Sequence, residues 1–218
     1  MRLTNIPFLV RFYNWWHGTR IRRNGIGHRF ESGNSRMRGC TIEFYGRDGL
    51  IELGADVRLF DCTIVLRGTA PHLIIGPGTR LRQVRIVVED NGSRLEIGPA
   101  TSMTGASLQA MEGGVVKIGR DCMVGTGADI TNTDVHSVID STTGRRLNPA
   151  RDVMIDDHVW IGSGSRVTKG AVIGSGSIIA ARSWVGGPIP SGVIAAGSPA
   201  VIKREGVNWD RRRLDVEI

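Results

Sequence analysis

The side chains best suited to chemistry gather in one stretch: Asn132-Thr-Asp134-Val-His136-Ser-Val-Ile-Asp140-Ser-Thr-Thr-Gly-Arg-Arg-Leu-Asn-Pro149. An imidazole stands there among carboxylates and an amide, in a segment polar and rich in turn formers. Histidine is the side chain that titrates near neutrality, and a loop on a rigid scaffold is where chemistry usually sits. A second histidine, His158, follows 22 residues on. That spacing suits a metal shared by neighbouring coils, but such a site needs three well-placed histidines. None of His17, His28 and His72 stands near, so no metal is expected, and His158 is expected to pack or to orient its neighbours. Cys40, Cys62 and Cys122 show neither metal spacing nor a disulfide framework, which suits a reducing compartment. Cys40 and Cys62 read as small core residues rather than catalytic thiols.

The elements that must position this loop are short and periodic. From Ile155 to Val185 the chain reads in sixes, with Ile155, Ile161, Val167, Ile173, Ile179 and Val185 in the first places. Val159, Ser165, Ala171, Ser177 and Ser183, two places before each next aliphatic, are small or β-branched. A period of six fits neither a helix nor a single flat strand. It fits a coil of short strands with one inward side chain per side and tight corners, the signature of a parallel β-helix.

Earlier in the chain the repeat lengthens to 22 residues, with Cys40-Thr-Ile42 recurring at Cys62-Thr-Ile64 and Leu53-Gly recurring at Ile75-Gly and Ile97-Gly. Each unit reads as three hexads plus turn formers at one corner, such as Gly46-Arg-Asp-Gly49 and Asp90-Asn-Gly92. From Ile118 to Ile155 is 37 residues, one more than six hexads, so a loop leaves the coil over 131–154. The expected organisation is an N-terminal helical, aromatic and basic segment over 1–28, the β-helix over 29–204 and a tail over 205–218.

A short helix is expected to begin near Pro7. Its Phe, Tyr and Trp residues, followed by Arg20, Arg22 and Arg23, suit either a cap on the open end of the coil or an interfacial anchor on anionic lipid, through residues 5–23. Gly186 to Pro190 ends the coil. The Arg211-Arg212-Arg213 triplet reads as a solvated run. The net charge of +7 favours anionic partners, but no nucleic-acid motif accompanies it. Neither a membrane span nor a signal peptide is expected.

Asp157-His-Val-Trp-Ile-Gly-Ser163 and Ala195-Ala-Gly-Ser-Pro-Ala200 resemble the hexapeptide-repeat acyltransferases, over about residues 75–204. The loop from Asp134 to Pro149 is similar to the branch that acts on galactosides, maltose and polysaccharides, including capsule and lipopolysaccharide enzymes. The resemblance implies an all-β fold, a left-handed parallel β-helix with a short N-terminal helix and a C-terminal cap. It also implies a homotrimer, with acetyl-CoA in the cleft between neighbouring prisms and no metal. By resemblance His136 matches the catalytic base, with Asn132, Asp134 and, less directly, Asp140 orienting the ring or the acceptor. Trp160 is placed against the acceptor pocket or packed on the loop. Ser163, Ala181, Gly186, Lys203 and Arg204 match coenzyme A positions. Where many relatives carry Thr-Lys this chain has Gly186-Gly187, so one basic contact is missing, with Arg166 and Arg182 as substitutes.

The function implied is acetyl-CoA-dependent O-acetylation of a saccharide, by direct transfer in a ternary complex, in surface-glycan biosynthesis. The expected place is the cytoplasm, with the N-terminal aromatic and basic segment favouring the inner face of its membrane. Two other readings compete: a zinc hydratase, which lacks its third histidine, and a trimeric scaffold or binding module without catalysis.

Overall fold

The computed structural model describes residues 7–215; side chains in the helix are described from Phe12 onward. Residues 1–6 of the expected N-terminal segment and the last three residues of the expected tail therefore lie outside the described residues. Nearly everything else is strand. The chain winds into three parallel sheets, one per face of a prism. The first face runs from Arg20–Ile26 up to Trp184–Val185 and the second from Arg29–Glu31 up to Pro188–Ile189, each with 8 strands. The third runs from Arg36–Arg38 up to Val193–Gly197 and ends on an antiparallel partner, Ala200–Glu205, as its ninth strand.

The hexads explain the core. Ile155 pairs with Ile173, Ile161 with Ile179 and Val167 with Val185, so equivalent aliphatics stack one rung above another. All six first-position residues are buried, each contributing roughly 1.5–3 kcal/mol of transfer free energy. The small corner residues are buried too, and their hydroxyls have a use. Ser165 donates to the Ala180 carbonyl at 2.9 Å and Ser177 to that of Pro190 at 2.7 Å, satisfying backbone where the chain turns. Glycine at 162 is steric: a Cβ there would lie 2.5 Å from the Ala181 nitrogen on the next rung.

Cys40, Cys62 and Cys122 are free and buried, as expected of core residues. The Cys40 thiol and burial push the Cys62 thiol up, and burial pushes Cys122 to about 11. Neither is a nucleophile near neutral pH.

One boundary differs from the expectation, and the tail packs on the coil. The coil begins at Arg20 rather than at 29, because Arg20–Ile26 already pairs in parallel with Thr41–Arg47. The tail is not a free end. Trp209 is buried, stacks on His158 with centroids 4.1 Å apart and donates its indole N–H to the His158 carbonyl at 2.8 Å. Arg211 is not solvated as the triplet suggested: it pairs with Asp121 at 2.8 Å and donates to Ser102 and to the Cys122 carbonyl. The tail thus docks on the side of the prism.

The helix Pro7–Trp16 packs at the lower end, against the Arg36–Arg38 strand. Asn14 is buried, donates to the Ser35 carbonyl at 3.1 Å and accepts from the Met37 N–H at 2.8 Å. Phe12, Trp15 and Trp16 stay exposed, with Phe12 against both indoles.

Candidate active site on the coil-breaking loop

The loop leaves the first face after Asp129–Thr131 and returns to the second at Val153–Ile155, so it springs from the corner between those faces. Its outer part is a small hairpin. Ile139 bridges Arg146, and Leu147 N–H donates to the Val138 carbonyl at 2.7 Å. Arg146 ties the hairpin to the coil through a two-pronged pair with Glu112, at 2.6 and 2.8 Å. Glu112 also accepts from Thr133. Arg146, then Thr133, holds the Glu112 carboxyl down at about 2.

His136 stands exposed on this loop, and among the described residues its ring makes no hydrogen bond. Its backbone is fixed instead. The His136 N–H donates to the Asp134 carbonyl at 2.7 Å, and its own carbonyl accepts from the Asn148 amide at 2.8 Å. The preceding Val135 has φ +67°, the left-handed region that β-branched residues avoid. Thr133 steadies that turn by accepting the Val135 N–H at 3.0 Å. Strain next to a free, well-anchored imidazole is the pattern of a functional loop.

The proposed orienting residues divide. Asp134 is beside His136, but its carboxylate accepts from Lys169 and from Asn148, and Lys169 foremost lowers its pKa. It steadies the loop rather than the ring. Asn132 is fully buried, and its amide both accepts from and donates to the Met111 backbone at 2.9 Å. Asp140 caps the hairpin turn, accepting from the N–H groups of Thr142 and Thr143 and from the Thr143 hydroxyl. Those backbone donors hold its pKa down. On the single chain Trp160 lies on the third face, away from the loop, tilted against Trp209 at 6.2 Å.

The coenzyme A positions fall in three places on one chain. Ser163 and Ala181 are exposed on successive rungs of the corner between the third and first faces, joined by Arg182 N–H to the Ser163 carbonyl at 2.9 Å. Gly186 is at the His136 corner, in a cleft with Pro199 and Ala200. The room its missing Cβ leaves is covered by the Trp184 ring, 2.9 Å from where that atom would be. Lys203 and Arg204 are exposed on the antiparallel last strand. Of the two substitutes for the absent lysine, Arg166 is paired with Asp129 at 3.3 Å, whereas Arg182 is exposed.

His158 is fully engaged, with Asp121 at 2.7 Å and the Trp209 carbonyl at 2.9 Å. It also belongs to a different corner from His136, so the pair does not form half a zinc site. Four residues around His136 were given no role by the sequence reading: Asn148, Lys169 and the Glu112–Arg146 pair. Only the rung-to-rung register brings Lys169 under Asp134.

The comparisons agree with this architecture. The family model for bacterial transferase hexapeptide (six repeats) matches residues 152–187. A polysialic acid O-acetyltransferase from Neisseria meningitidis is 38% identical over 69 residues, 32% of this chain and 32% of that protein. The match thus spans about a third of that relative's own length, and 31% of the length of its Escherichia coli counterpart. In fold the likeness is nearly complete. The crystal structure of the polysialic acid-specific acetyltransferase NeuO is 29% identical and superposes with a TM-score of 0.85, covering 89% of this chain and 90% of that one. That of the polysialic acid O-acetyltransferase OatWY is 25% identical with a TM-score of 0.84, covering 91% and 95%. By its repeats and its three-faced coil the chain is a hexapeptide-repeat protein, similar in sequence and fold to acetyltransferases built on that repeat.

Proposed function

We propose that this protein transfers an acetyl group from acetyl-CoA to a hydroxyl of a saccharide, with His136 as general base. The observation that carries the reading is an exposed imidazole on a braced, strained loop that interrupts a hexapeptide coil like that of the polysialic acid O-acetyltransferases. His136 takes the proton of the sugar hydroxyl as that oxygen attacks the thioester carbonyl. The tetrahedral oxyanion is met by hydroxyl or N–H donors, Ser163 among them. Collapse breaks the C–S bond, and the proton held on His136 goes to the departing thiolate. No covalent acyl-enzyme is needed, which fits the burial of all three thiols.

On one chain the His136 corner and the Ser163–Ala181 corner are apart. The proposed trimer joins them, with the His136 loop of one copy facing the Ser163 corner of the next. The hairpin suits that role, since Val135, Val138, Ile139 and Leu147 are each more than half exposed on the single chain. The acceptor class proposed is a surface glycan, and the proposed place of action is the cytoplasm, where acetyl-CoA is made.

Calorimetric titration with acetyl-CoA, followed by thiol release in the presence of saccharide acceptors, tests the reading. Micromolar binding and acceptor-dependent release are expected. Absence of any acetyl-CoA binding would leave the trimeric scaffold as the better account.

The brace on the loop has its own expected pH dependence. The folded Glu112 pKa is lowered to about 2, so the stabilisation from its pair with Arg146 is complete above the ordinary carboxylate range and is lost as pH falls through about 2. Nuclear magnetic resonance of loop amides between pH 5 and 2 should show the hairpin ordered until the lower end of that range. Release of the hairpin already near pH 4.5 would show that the pair does not hold it.

A further inference from the structure

The excess positive charge is not spread evenly over the prism. The first and second faces interleave acidic residues with their arginines, and four of those arginines pair with a carboxylate: Arg22 with Glu43, Arg67 with Glu89, Arg94 with Glu96 and Arg166 with Asp129. The lower third face is different. Its first four strands read Arg-Met-Arg, Arg-Leu-Phe, Arg-Leu-Arg and Ser-Met-Thr, without one acidic residue. The central residue of each points into the core, so both flanking residues point out. In register, Arg36, Arg58 and Arg80 form one outward column, and Arg38, Phe60 and Arg82 a second. Among the described residues none of these five arginines makes a salt bridge or a side-chain hydrogen bond. Successive rungs are ~4.8 Å apart, so the first column holds three guanidinium groups within about 10 Å along the prism axis.

Parallel stacking sets like charges directly above one another, an arrangement that is unfavourable without a counter-charge. We propose that this double column is a binding track for an anionic polysaccharide acceptor, which lies along the coil axis and offers a carboxylate to successive rungs. The proposal rests on the saccharide O-acetyltransferase reading and names its substrate class. Planar guanidinium groups suit carboxylates two hydrogen bonds at a time. Continuing upward, the first column becomes Ser102, Met123 and Trp160. Ser102 is held by Arg211 of the docked tail, and Trp160 is exposed just before the Ser163 corner. A chain following the column is therefore led toward the proposed donor site.

Other polyanions fit less well. A single strand of nucleic acid wants stacking platforms at successive bases, and on the arginine-bearing rungs only the half-buried Phe60 is aromatic in the columns. A lipid surface wants apolar side chains beside the charges; those are on the helix, not on this face.

The test is binding, by fluorescence polarisation or calorimetry at several salt concentrations, to polysialic acid, neutral dextran, a single-stranded oligonucleotide and anionic phospholipid vesicles. Expected is salt-dependent binding to polysialic acid with none to dextran, weakened at least about tenfold in Arg58→Gln/Arg80→Gln/Arg82→Gln. Arg22→Gln/Arg67→Gln, which removes paired arginines from the first face, should bind polysialic acid as the unaltered protein does. Equal affinity for polysialic acid in the triple variant overturns the track, as does an oligonucleotide or vesicle affinity matching that for the glycan. Acetyl-CoA titration of the same proteins separates the two ideas: if the track binds but acetyl-CoA does not, the track stands and the transferase reading falls.

Discussion

Replacing His136 by alanine is expected to lower acetyl transfer by roughly two to four orders of magnitude, the usual worth of a positioned general base. Acetyl-CoA binding should be nearly unchanged. The first expectation follows from the chemistry of a sugar hydroxyl, which attacks a thioester slowly unless its proton is being removed. The second follows from the division of labour proposed, in which Ser163, Ala181, Gly186, Lys203 and Arg204 hold coenzyme A and the His136 ring serves the acceptor hydroxyl. Nor should the fold suffer. The ring is exposed and makes no bond among the described residues, while the loop is anchored by Arg146 and Asn148. Stopped-assay measurement of free thiol, with and without saccharide, gives the rate; calorimetry gives the affinity. A variant as active as the unaltered protein would remove His136 from the mechanism. A variant that also loses acetyl-CoA would make it a binding residue instead.

Much of this architecture is legible without coordinates because a coil repeats its instructions. Six aliphatics in step from Ile155 to Val185 define rungs before any rung is seen, and the break in step after Ile130 marks the loop that carries His136. The first rung was hidden for the opposite reason. Arg20–Ile26 reads Arg-Ile-Arg-Arg-Asn-Gly-Ile, and all seven residues are exposed, so no alternation reports a buried side. It is a strand only because Thr41–Arg47 offers it an edge.

Side-chain direction is the other thing a period cannot give. Asn132 belongs to the chemical stretch by composition, yet its amide is turned inward to complete the Met111 backbone. Arg211 sits in a triplet that looks solvated, and its partner Asp121 is 90 residues away in sequence. Lys169 could not be assigned to the loop from sequence, because its link to Asp134 runs between rungs 35 residues apart.

Removing the Asn148 side chain is expected to cost activity roughly 10- to 100-fold by misplacing the base, with the fold intact. Asn148 is nearly buried and uses both ends of its amide around His136. Its nitrogen donates to the Asp134 carboxylate and to the His136 carbonyl, each at 2.8 Å, and its oxygen accepts from the Val138 N–H at 2.6 Å. One side chain thus fixes the backbone on both sides of the imidazole. Asn148→Ala frees those groups at the surface, where water replaces the partners, so stability should change by about 1 kcal/mol or less. In a chain of this size that shifts the melting temperature by only about 2–4 °C. Asn148→Asp keeps the acceptor for Val138 but sets a carboxylate against Asp134 and has no donor for the His136 carbonyl, so it should not restore the rate. A positioning role predicts a lower kcat with the KM for acetyl-CoA little changed. A melting temperature lowered well beyond that range, with kcat preserved in the folded fraction, would instead make Asn148 a structural residue. Full activity in both variants would mean that the left-handed turn at Val135 and the Arg146 clamp hold His136 without it.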